Sequence, residues 1–492
     1  MTNDLTVKTR KGVLHGKAQG NGTLAFLGIP FAQLPVGKQR WREPLELPDS
    51  SADIDCTAFG PIPIQTENDD RYRGLPKSED CLYLNVFTAD LQHKNRPVLV
   101  WAYGGAYVKG GTSYQGFNGD LMVAENPDIV LVTVNYRLGV FGSMNLSKLD
   151  KTGEYKYSNN LSRLDLHAAL KWVNENIAAF GGDPDNVTVW GHSAGSSNIS
   201  AQLMMDGPRY FNKAIMHSSF AADVGITSWE TSLGSSDVFF KLLGDPTLEE
   251  LLAVSSEDIF AAQEKLLKSD FFDTERKPLS VVTDDIVIPK DGFERLASGC
   301  AKDIDIIAGT TWGEYDQQFW PMSMEQKYTY LKSQVGRRVG DLDALIKFYK
   351  AQDPEKPLEE VYMDIKNDLW LRLPANLIAQ AAAKGGSHVW MYYTMLRKAD
   401  GKRARHGTEF SMIFKKQDPE LVSEEAAKRY RQTLLNFVRN GKPEGGGLPE
   451  WPEYDAKSRR TMCFGETSYM SDGVRTAEMD KLWPLFAETE YL

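Results

Sequence analysis

Short runs that are apolar on both faces constrain the fold of this 492-residue chain more than any other feature. A strand covered by helices on both sides loses the usual alternation of apolar and polar residues. Between two of these runs, the segment 162–180 has apolar residues at three- and four-residue spacing, which is typical of an amphipathic helix. Alternating strands and helices predict an α/β fold with a mostly parallel central sheet and helices on both faces. The runs are 97–103, 129–136, 187–190, 213–219, 304–310 and 388–393.

Two segments depart from this alternation. The N-terminal region, up to about residue 60, is rich in turn signals, which predicts a small β-sheet ahead of the main one. Residues 320–380 have the pattern of consecutive helices with no strand between them, which predicts a helical insertion. No linker rich in proline or serine interrupts the chain, so we expect a single domain over residues 1–492.

Charge and composition exclude several classes of partner. The formal net charge is −11 and the basic residues are scattered, so we expect no nucleic-acid partner. No apolar run has the eighteen or so residues that a membrane span needs, and we expect no membrane partner. The four cysteines form no CxxC pair and have no histidines at zinc spacing, which predicts no metal and reduced thiols. We therefore expect a cytoplasmic protein, either a monomer or a weak homo-oligomer.

The sequence VTVWGHSAGSS, residues 187–197, has the form of a strand that turns sharply into a helix. The G-x-S-x-G pattern places a serine on such a turn, where its hydroxyl is exposed and can act as a nucleophile. Gly191 and Gly195 fit because the residues two before and two after the serine crowd each other. Ser193 is the predicted nucleophile, and the neighbouring His192 is interpreted as a supporting residue.

Acyl transfer from a serine also requires amides that stabilise a developing oxyanion. The strand 97–103 ends in Tyr103-Gly104-Gly105-Ala106, where bare backbone can approach a substrate closely. We predict that the amides of Gly105 and Ala106, together with that of Ala194, form the oxyanion hole.

A histidine base and an acid should follow the serine in the chain. His388 begins an apparent buried strand, whereas His406 lies in a polar segment after that strand, which favours His406 as the base. Glu314 and Asp316 both follow the run 304–310, and position alone does not choose between them as the acid.

Several aromatic residues lie near the predicted mouth of this site in the sequence. Although aromatic residues are more often part of the core, we predict that these line a substrate pocket. They are Tyr107, Phe220, Trp312, Phe319 and Trp320.

Long motifs in a fixed order resemble the type-B carboxylesterases, the cholinesterase-like branch of the α/β-hydrolases. The resemblance covers nearly the whole chain and implies the α/β-hydrolase fold, a small ester substrate and no cofactor. The matching segments are FLGIPFAQLPVGKQRWREP (26–44), SEDCLYLNVF (78–87), VNYRLGVFG (134–142), FGGDPDNVTVWGHSAGS (180–196) and WPEYD (451–455).

The resemblance implies a serine, glutamate and histidine triad. The family's acid motif G-x-N-x-x-E corresponds to residues 309–314, which selects Glu314 over Asp316, and its histidine motif corresponds to residues 406–414. It also implies two supporting ion pairs, Arg40 with Glu79 and Arg137 with Asp165.

The sequence departs from the family at several positions. Pro63 stands where the family has a cysteine, which leaves Cys81 without its family partner. Tyr103 and Ala106 replace a histidine and a glycine. Phe220 stands where a small residue is expected, which puts a supporting hydrogen bond to the triad in question.

Together these features predict a serine carboxylesterase that works through an acyl-enzyme on Ser193. An amidase or thioesterase would use the same triad and stays an alternative. A non-catalytic binding module is the alternative from another class, and the three filled triad positions argue against it.

Overall fold

A computed structural model describes residues 5–117, 119–219, 228–269, 279–316, 320–336, 341–397, 401, 403–414 and 423–487. The strands are β1 Thr6–Thr9, β2 Gly12–His15, β3 Lys17–Ala18, β4 Leu24–Pro30, β5 Asp53–Asp55, β6 Ile62–Pro63, β7 Lys77–Ser78, β8 Tyr83–Thr88, β9 Arg96–Ala102, β10 Val130–Val134, β11 Gly182–His192, β12 Lys213–His217, β13 Asp305–Thr311, β14 Val389–Thr394, β15 Arg460–Phe464 and β16 Tyr469–Asp472.

Helices occupy most of the sequence between the later strands. They are α1 Gly119–Glu125, α2 Gly139–Gly142, α3 Leu161–Asn176, α4 Ala194–Met204, α5 Trp229–Leu242, α6 Leu248–Ala253, α7 Ser256–Leu266, α8 Gly292–Ala297, α9 Met324–Gly336, α10 Leu342–Gln352, α11 Leu358–Asn367, α12 Leu373–Lys384, α13 Thr408–Phe414, α14 Glu424–Asn440 and α15 Thr476–Ala487. A π-helical turn, Asp368–Arg372, joins α11 to α12.

The chain divides into two compact units, of which the first comprises Met1–Ile215, Ile226–Pro289 and Val438–Gly441. In this unit β9 pairs in parallel with β10 on one side and with β11 on the other. The strands β8, β4 and β3 continue the sheet in antiparallel pairs. Every residue of β10 is buried, which explains why four of its five residues are valine or leucine. A separate small sheet, with the strand order β1-β2-β5, is the predicted N-terminal sheet.

The second unit comprises Met216–Gly225, Lys290–Phe437 and Lys442–Leu492. Here β14 pairs in parallel with β13 and β15, and β16 closes the edge in an antiparallel pair. The helices α9 to α12 follow one another between β13 and β14, in the segment predicted as a helical insertion. The two units leave the single-domain interpretation a prediction.

The predicted strands and the predicted helix all occur, with small shifts at their ends. The segment 162–180, for example, forms α3 followed by the 3₁₀ turn Ile177–Phe180. Edge strands are antiparallel, so the sheet is mixed rather than uniformly parallel. Within the described ranges, no helix has both the length and the apolar character needed to cross a membrane.

Both predicted ion pairs are confirmed, and both lie in the first unit. Arg40 donates Nε and Nη2 to the carboxylate of Glu79 at 2.7 and 2.5 Å. Arg137 pairs with Asp165 at 2.6 Å, and all four side chains are nearly inaccessible to water. Two-point contacts of this kind fix geometry as well as contributing energy. They hold the chain before β8 and the start of α3 in place.

Candidate active site

Ser193 lies in the turn between β11 and α4. Its backbone has φ 55° and ψ −122°, a conformation that L-residues rarely adopt, and its side chain is buried. Such strain persists where the surrounding structure enforces it, and it is concentrated at functional sites. The structure therefore places Ser193 on a sharp strand-to-helix turn.

Close packing explains the glycines on either side of the serine. A Cβ atom on Gly191 would lie 2.7 Å from the carbonyl carbon of Gly195. A Cβ atom on Gly195 would lie 2.1 Å from the carbonyl oxygen of Ala102. Backbone atoms cannot rotate away as a flexible side chain does, so both positions require glycine.

The predicted oxyanion loop packs directly against this turn. A Cβ atom on Gly104 would lie 2.7 Å from the carbonyl oxygen of His192 and 3.0 Å from Cβ of Ser193. Ala106 adopts φ 55°, in the left-handed region that favours glycine. The loop thus packs against the serine turn at Gly104, and the roles of the Gly105 and Ala106 amides stay predictions.

Tyr103, which replaces the family histidine, anchors the start of this loop. Its ring stacks on that of Tyr136, with ring centroids 4.4 Å apart and planes inclined by 15°. Its hydroxyl donates to the carbonyl oxygen of Tyr136 at 3.1 Å, and the hydroxyl of Tyr136 donates to the carbonyl oxygen of Tyr103. This reciprocal pairing fixes the end of β9.

Ala194 is the first residue of α4, directly after Ser193. The first amides of a helix have no partner within the helix, and the helix dipole gives this end a partial positive charge. The first helical bond runs from the Ser197 amide to the Ser193 carbonyl at 2.9 Å. The Ala194 amide is therefore suited to stabilise negative charge beside Ser193.

Glu314 and His406 form a partly buried pair in the second unit. Nδ1 of His406 lies 2.6 Å from Oε2 of Glu314, and the backbone amide of His406 donates to the Glu314 carbonyl at 3.0 Å. Glu314 is inaccessible to water, whereas the His406 side chain is 13% exposed. The carboxylate that contacts His406 is thus that of Glu314, the residue selected by the family motif.

The other oxygen of the Glu314 carboxylate is also held. Oε1 accepts hydrogen bonds from the Ser218 hydroxyl and from the Thr311 amide, each at 2.6 Å. The concern that Phe220 removes a supporting hydrogen bond is therefore wrong, because Ser218, two residues earlier, supplies one. Its position is fixed by the Ser218 amide, which donates to the Gly309 carbonyl at 2.8 Å.

A buried polar cluster lies behind this pair. Nδ1 of His217 lies 2.5 Å from the Tyr392 hydroxyl and 3.0 Å from the Tyr430 hydroxyl, and Tyr392 donates to Oε1 of Glu409 at 3.3 Å. Burial lowers the pKa of His217 to about 3, so its imidazole is neutral near pH 7. Burial, together with repulsion from Glu314, raises the pKa of Glu409 well above its usual range. Both effects disfavour a second negative charge beside Glu314.

Glu409→Gln is expected to stabilise the protein increasingly as the pH rises above about 4.5, the ordinary pKa of glutamate. Between that pH and the raised pKa of the folded state, the unfolded wild type loses the Glu409 proton and the folded wild type keeps it, so the free energy of unfolding falls by about 1.4 kcal/mol per pH unit. Glutamine has no such proton to lose. Thermal unfolding from pH 5 to 8 measures the difference in the free energy of unfolding between Glu409→Gln and wild type. Glu249→Gln, at an exposed position, is the control. A difference in the free energy of unfolding between Glu409→Gln and wild type that stays constant with pH would contradict the prediction.

The predicted aromatic pocket residues have different surroundings. Tyr107 is buried with the Arg163 guanidinium 4.2 Å from its ring centroid, and the Trp312 ring lies beneath Arg397 and Arg403 at 4.5 and 4.9 Å. Trp320 is buried against lysine ammonium groups. Phe220 and Phe319 lie outside the described residues. Their roles as substrate walls stay predictions.

Sequence reasoning missed two residues beside the pair, Ser218 against Glu314 and Tyr315 against His406. Besides Ser218, the ring of Tyr315 lies parallel to that of His406, with a centroid distance of 6.1 Å and an interplanar angle of 7°. Tyr315 directly follows Glu314, so its position in the sequence was the one available signal. In the described part of the chain, no cluster of histidine, cysteine, aspartate or glutamate side chains has the arrangement needed for a metal ion.

Comparison with known proteins gives consistent matches along the chain. The profile of the carboxylesterase family matches residues 3–482. Para-nitrobenzyl esterase of Bacillus subtilis (strain 168) is 33% identical over 97% of this chain and 98% of its own length. Liver carboxylesterase of Sus scrofa is 29% identical over 97% of this chain and 90% of its own.

Solved structures give the same result. A PNB esterase superposes with a TM-score of 0.85 at 30% identity, covering 98% of this chain and all of that one. Carboxylesterase EST55 of Geobacillus stearothermophilus superposes with a TM-score of 0.85 at 29% identity, covering 97% of this chain and 100% of its own.

Proposed function

The chain belongs to the carboxylesterase family and is a carboxylic ester hydrolase with the α/β-hydrolase fold, and from this premise we propose that Ser193 is its nucleophile. His406 takes the proton of the serine hydroxyl as the oxygen attacks the ester carbonyl. Glu314 orients the imidazole through Nδ1 and stabilises its positive charge. His406 then passes the proton to the leaving alcohol, which gives an acyl-enzyme.

In the second half of the reaction His406 takes a proton from water as the water oxygen attacks the acyl-enzyme. The bond between the acyl carbon and the Ser193 oxygen then breaks, His406 returns the proton to that oxygen, and the carboxylic acid is released. The amides of Gly105, Ala106 and Ala194 stabilise the oxyanion in both halves. Support comes from the packing of Gly104 against Ser193 and from the position of Ala194 at the start of α4. The substrate class is a small ester.

The observation that carries this proposal is the backbone of Ser193. A serine at φ 55°, fixed between two glycines that no other residue can replace without a clash, has no structural advantage over glycine. A hydroxyl retained at such a position is best explained by chemistry.

The direct test is to label the protein with an organophosphate and map the adduct by mass spectrometry. We expect one adduct per chain, on Ser193, with parallel loss of p-nitrophenyl acetate hydrolysis. Glu314→Gln should slow labelling without moving the adduct, because the imidazole loses the negative charge that stabilises its protonated form. An adduct on another serine, or full labelling without loss of turnover, would contradict the proposal.

Ala106→Gly is expected to raise the relative rate on bulky esters, because it removes a methyl group from the proposed oxyanion loop. Glycine also adopts the left-handed backbone of residue 106 without strain, so the free energy of unfolding should change by no more than about 1 kcal/mol. The measurement is kcat/KM for p-nitrophenyl acetate and for a branched-acyl p-nitrophenyl ester, before and after the change. If the ratio of the two kcat/KM values is unchanged, the methyl group of Ala106 does not limit substrate size.

A cytoplasmic location is part of the same proposal, and the thiols support it. Cys56 and Cys81 are both free and buried. Burial raises the pKa of the Cys56 thiol to about 12, which keeps it protonated and unreactive. Peptide mapping without reduction should recover both as thiols, and a bridge between Cys56 and Cys81 would contradict a reducing location.

A further inference from the structure

The proposed oxyanion loop has a second residue in the left-handed region. Tyr107 adopts φ 62°, directly after Ala106 at φ 55°. L-residues rarely adopt this conformation, so two in succession require contacts that hold them there. The backbone supplies two such contacts. The Gly139 amide donates to the Tyr107 carbonyl at 2.6 Å, and the Val108 amide donates to the Gly105 carbonyl at 3.1 Å.

The side chain of Tyr107 supplies a third contact, with the guanidinium of Arg163 in the first turn of α3. Cζ of Arg163 lies 4.2 Å from the centroid of the Tyr107 ring, which is within the range of a cation–π contact. Both side chains are buried, and Arg163 is inaccessible to water. A cation–π contact is strongest when the cation is desolvated, as this one is.

The charge of Arg163 is not balanced by an ion pair. Its Nη1 donates to the Ser162 hydroxyl at 2.6 Å, and no carboxylate in the described part of the chain pairs with the guanidinium. The carboxylate of Asp284 acts on it only from a distance and accepts instead from the Val287 amide at 2.8 Å. Burial lowers the pKa of Arg163, and contact with Tyr107 opposes that shift. The buried charge is therefore stabilised by the tyrosine.

Arg163 is also bonded to α4, the helix that begins at Ala194. The side-chain amide of Gln202 on α4 donates to the Arg163 carbonyl at 2.8 Å. Arg163 thus contacts the loop through its side chain and the helix after the serine turn through its backbone. We infer that Arg163 is a positioning residue, which holds residues 105–107 against the serine turn through the Tyr107 ring. The inference rests on the proposed oxyanion hole.

The first test removes the guanidinium. Arg163→Leu should lower kcat for p-nitrophenyl acetate about tenfold or more and change KM less than about twofold, because displaced amides stabilise the oxyanion less while the ester still binds. Arg163→Lys keeps the positive charge and should lose less activity. Arg459→Leu is the matched control and should keep wild-type kinetics. Its guanidinium Cζ lies 5.4 Å from the Trp483 ring centroid, in the second unit.

A transition-state analogue tests the oxyanion hole itself. The Ser193 oxygen adds to the carbonyl carbon of 1,1,1-trifluoroacetone, His406 takes the serine proton, and the carbonyl oxygen becomes an oxyanion without loss of a leaving group. The inhibition constant should rise in Arg163→Leu by the factor by which kcat/KM falls, about tenfold or more. If kcat and the inhibition constant stay unchanged and only the melting temperature falls, Arg163 has a structural role alone and the inference is overturned.

A double variant tests whether Arg163 acts through the ring. In that case Arg163→Leu combined with Tyr107→Leu should be no slower than the slower of the two single variants, whereas independent effects would multiply. Multiplied losses in kcat/KM would therefore overturn the inference.

Failure to fold and failure of the proposed function have separate outcomes. If Arg163→Leu does not fold, Arg163→Met takes its place. If neither folds, Tyr107→Leu decides, because an unchanged inhibition constant for trifluoroacetone in that variant overturns the inference and a rise supports it. If wild type carries no organophosphate adduct on Ser193, the proposed function fails and the inference fails with it. Wild-type labelling on Ser193 with unchanged kinetics in Arg163→Leu overturns the inference alone.

Discussion

Ser193→Ala is expected to lower kcat/KM for p-nitrophenyl acetate by a factor on the order of 10⁴ to 10⁶, because the attacking oxygen is lost while the oxyanion amides stay in place. KM should change little, since the hydroxyl contributes little to ground-state binding. The measurement is steady-state hydrolysis with purified wild type and variant, together with thermal unfolding to show that both are folded.

A double variant gives the sharper comparison. Residues that act as a unit have non-additive effects, so Ser193→Ala combined with His406→Ala should be no slower than Ser193→Ala alone. Additive losses would show that His406 acts independently of the serine. A fall of less than about tenfold in the single variant would mean that another residue carries the attack.

Gly195→Ala is expected to disrupt the turn that presents Ser193. The new Cβ atom would lie 2.1 Å from the Ala102 carbonyl oxygen and 2.5 Å from that of Tyr103, so the backbone must move. A displacement of about 1 Å costs about 100-fold in activity, and an overpacked core costs about 1–3 kcal/mol of stability. Hydrolysis of p-nitrophenyl acetate and thermal unfolding measure the two effects.

Gly20→Ala is the matched control for this change. Gly20 is exposed, and a Cβ atom there would meet no other atom within 4 Å. It should keep wild-type activity and melting temperature. If Gly195→Ala behaved like Gly20→Ala, the close approach of β9 to the serine turn would not be needed for catalysis.

Local sequence carries much of the fold. Runs such as PVLVWAY are buried on both faces, and this burial is visible in composition alone because no polar residue interrupts it. Helix α3 and its 3₁₀ end follow from apolar spacing in the same way. The ends of elements shift by a few residues, since tertiary contacts decide where a strand or helix stops.

The supporting residues of the candidate site could not be predicted in this way. Ser218 is 96 residues from Glu314, and the Lys366 ammonium meets a ring 51 positions before it in the chain, that of Tyr315. No spacing rule connects such distant positions, and serine and lysine are common in loops and on helix surfaces. The replacement of a small residue by Phe220 was therefore a poor guide to whether the acid keeps its hydrogen bond.

The sequence alone predicted the α/β class, the sharp turn at Ser193 and His406 as the candidate base, because each depends on residues close together in the chain. The family motif added Glu314. Tertiary structure alone decided what surrounds these groups: the Ser218 hydrogen bond, the burial of Glu409 and the aromatic rings near Lys366. The physical reason is that hydrogen bonds, burial and cation–π contacts depend on distances in space, which only the folded chain defines.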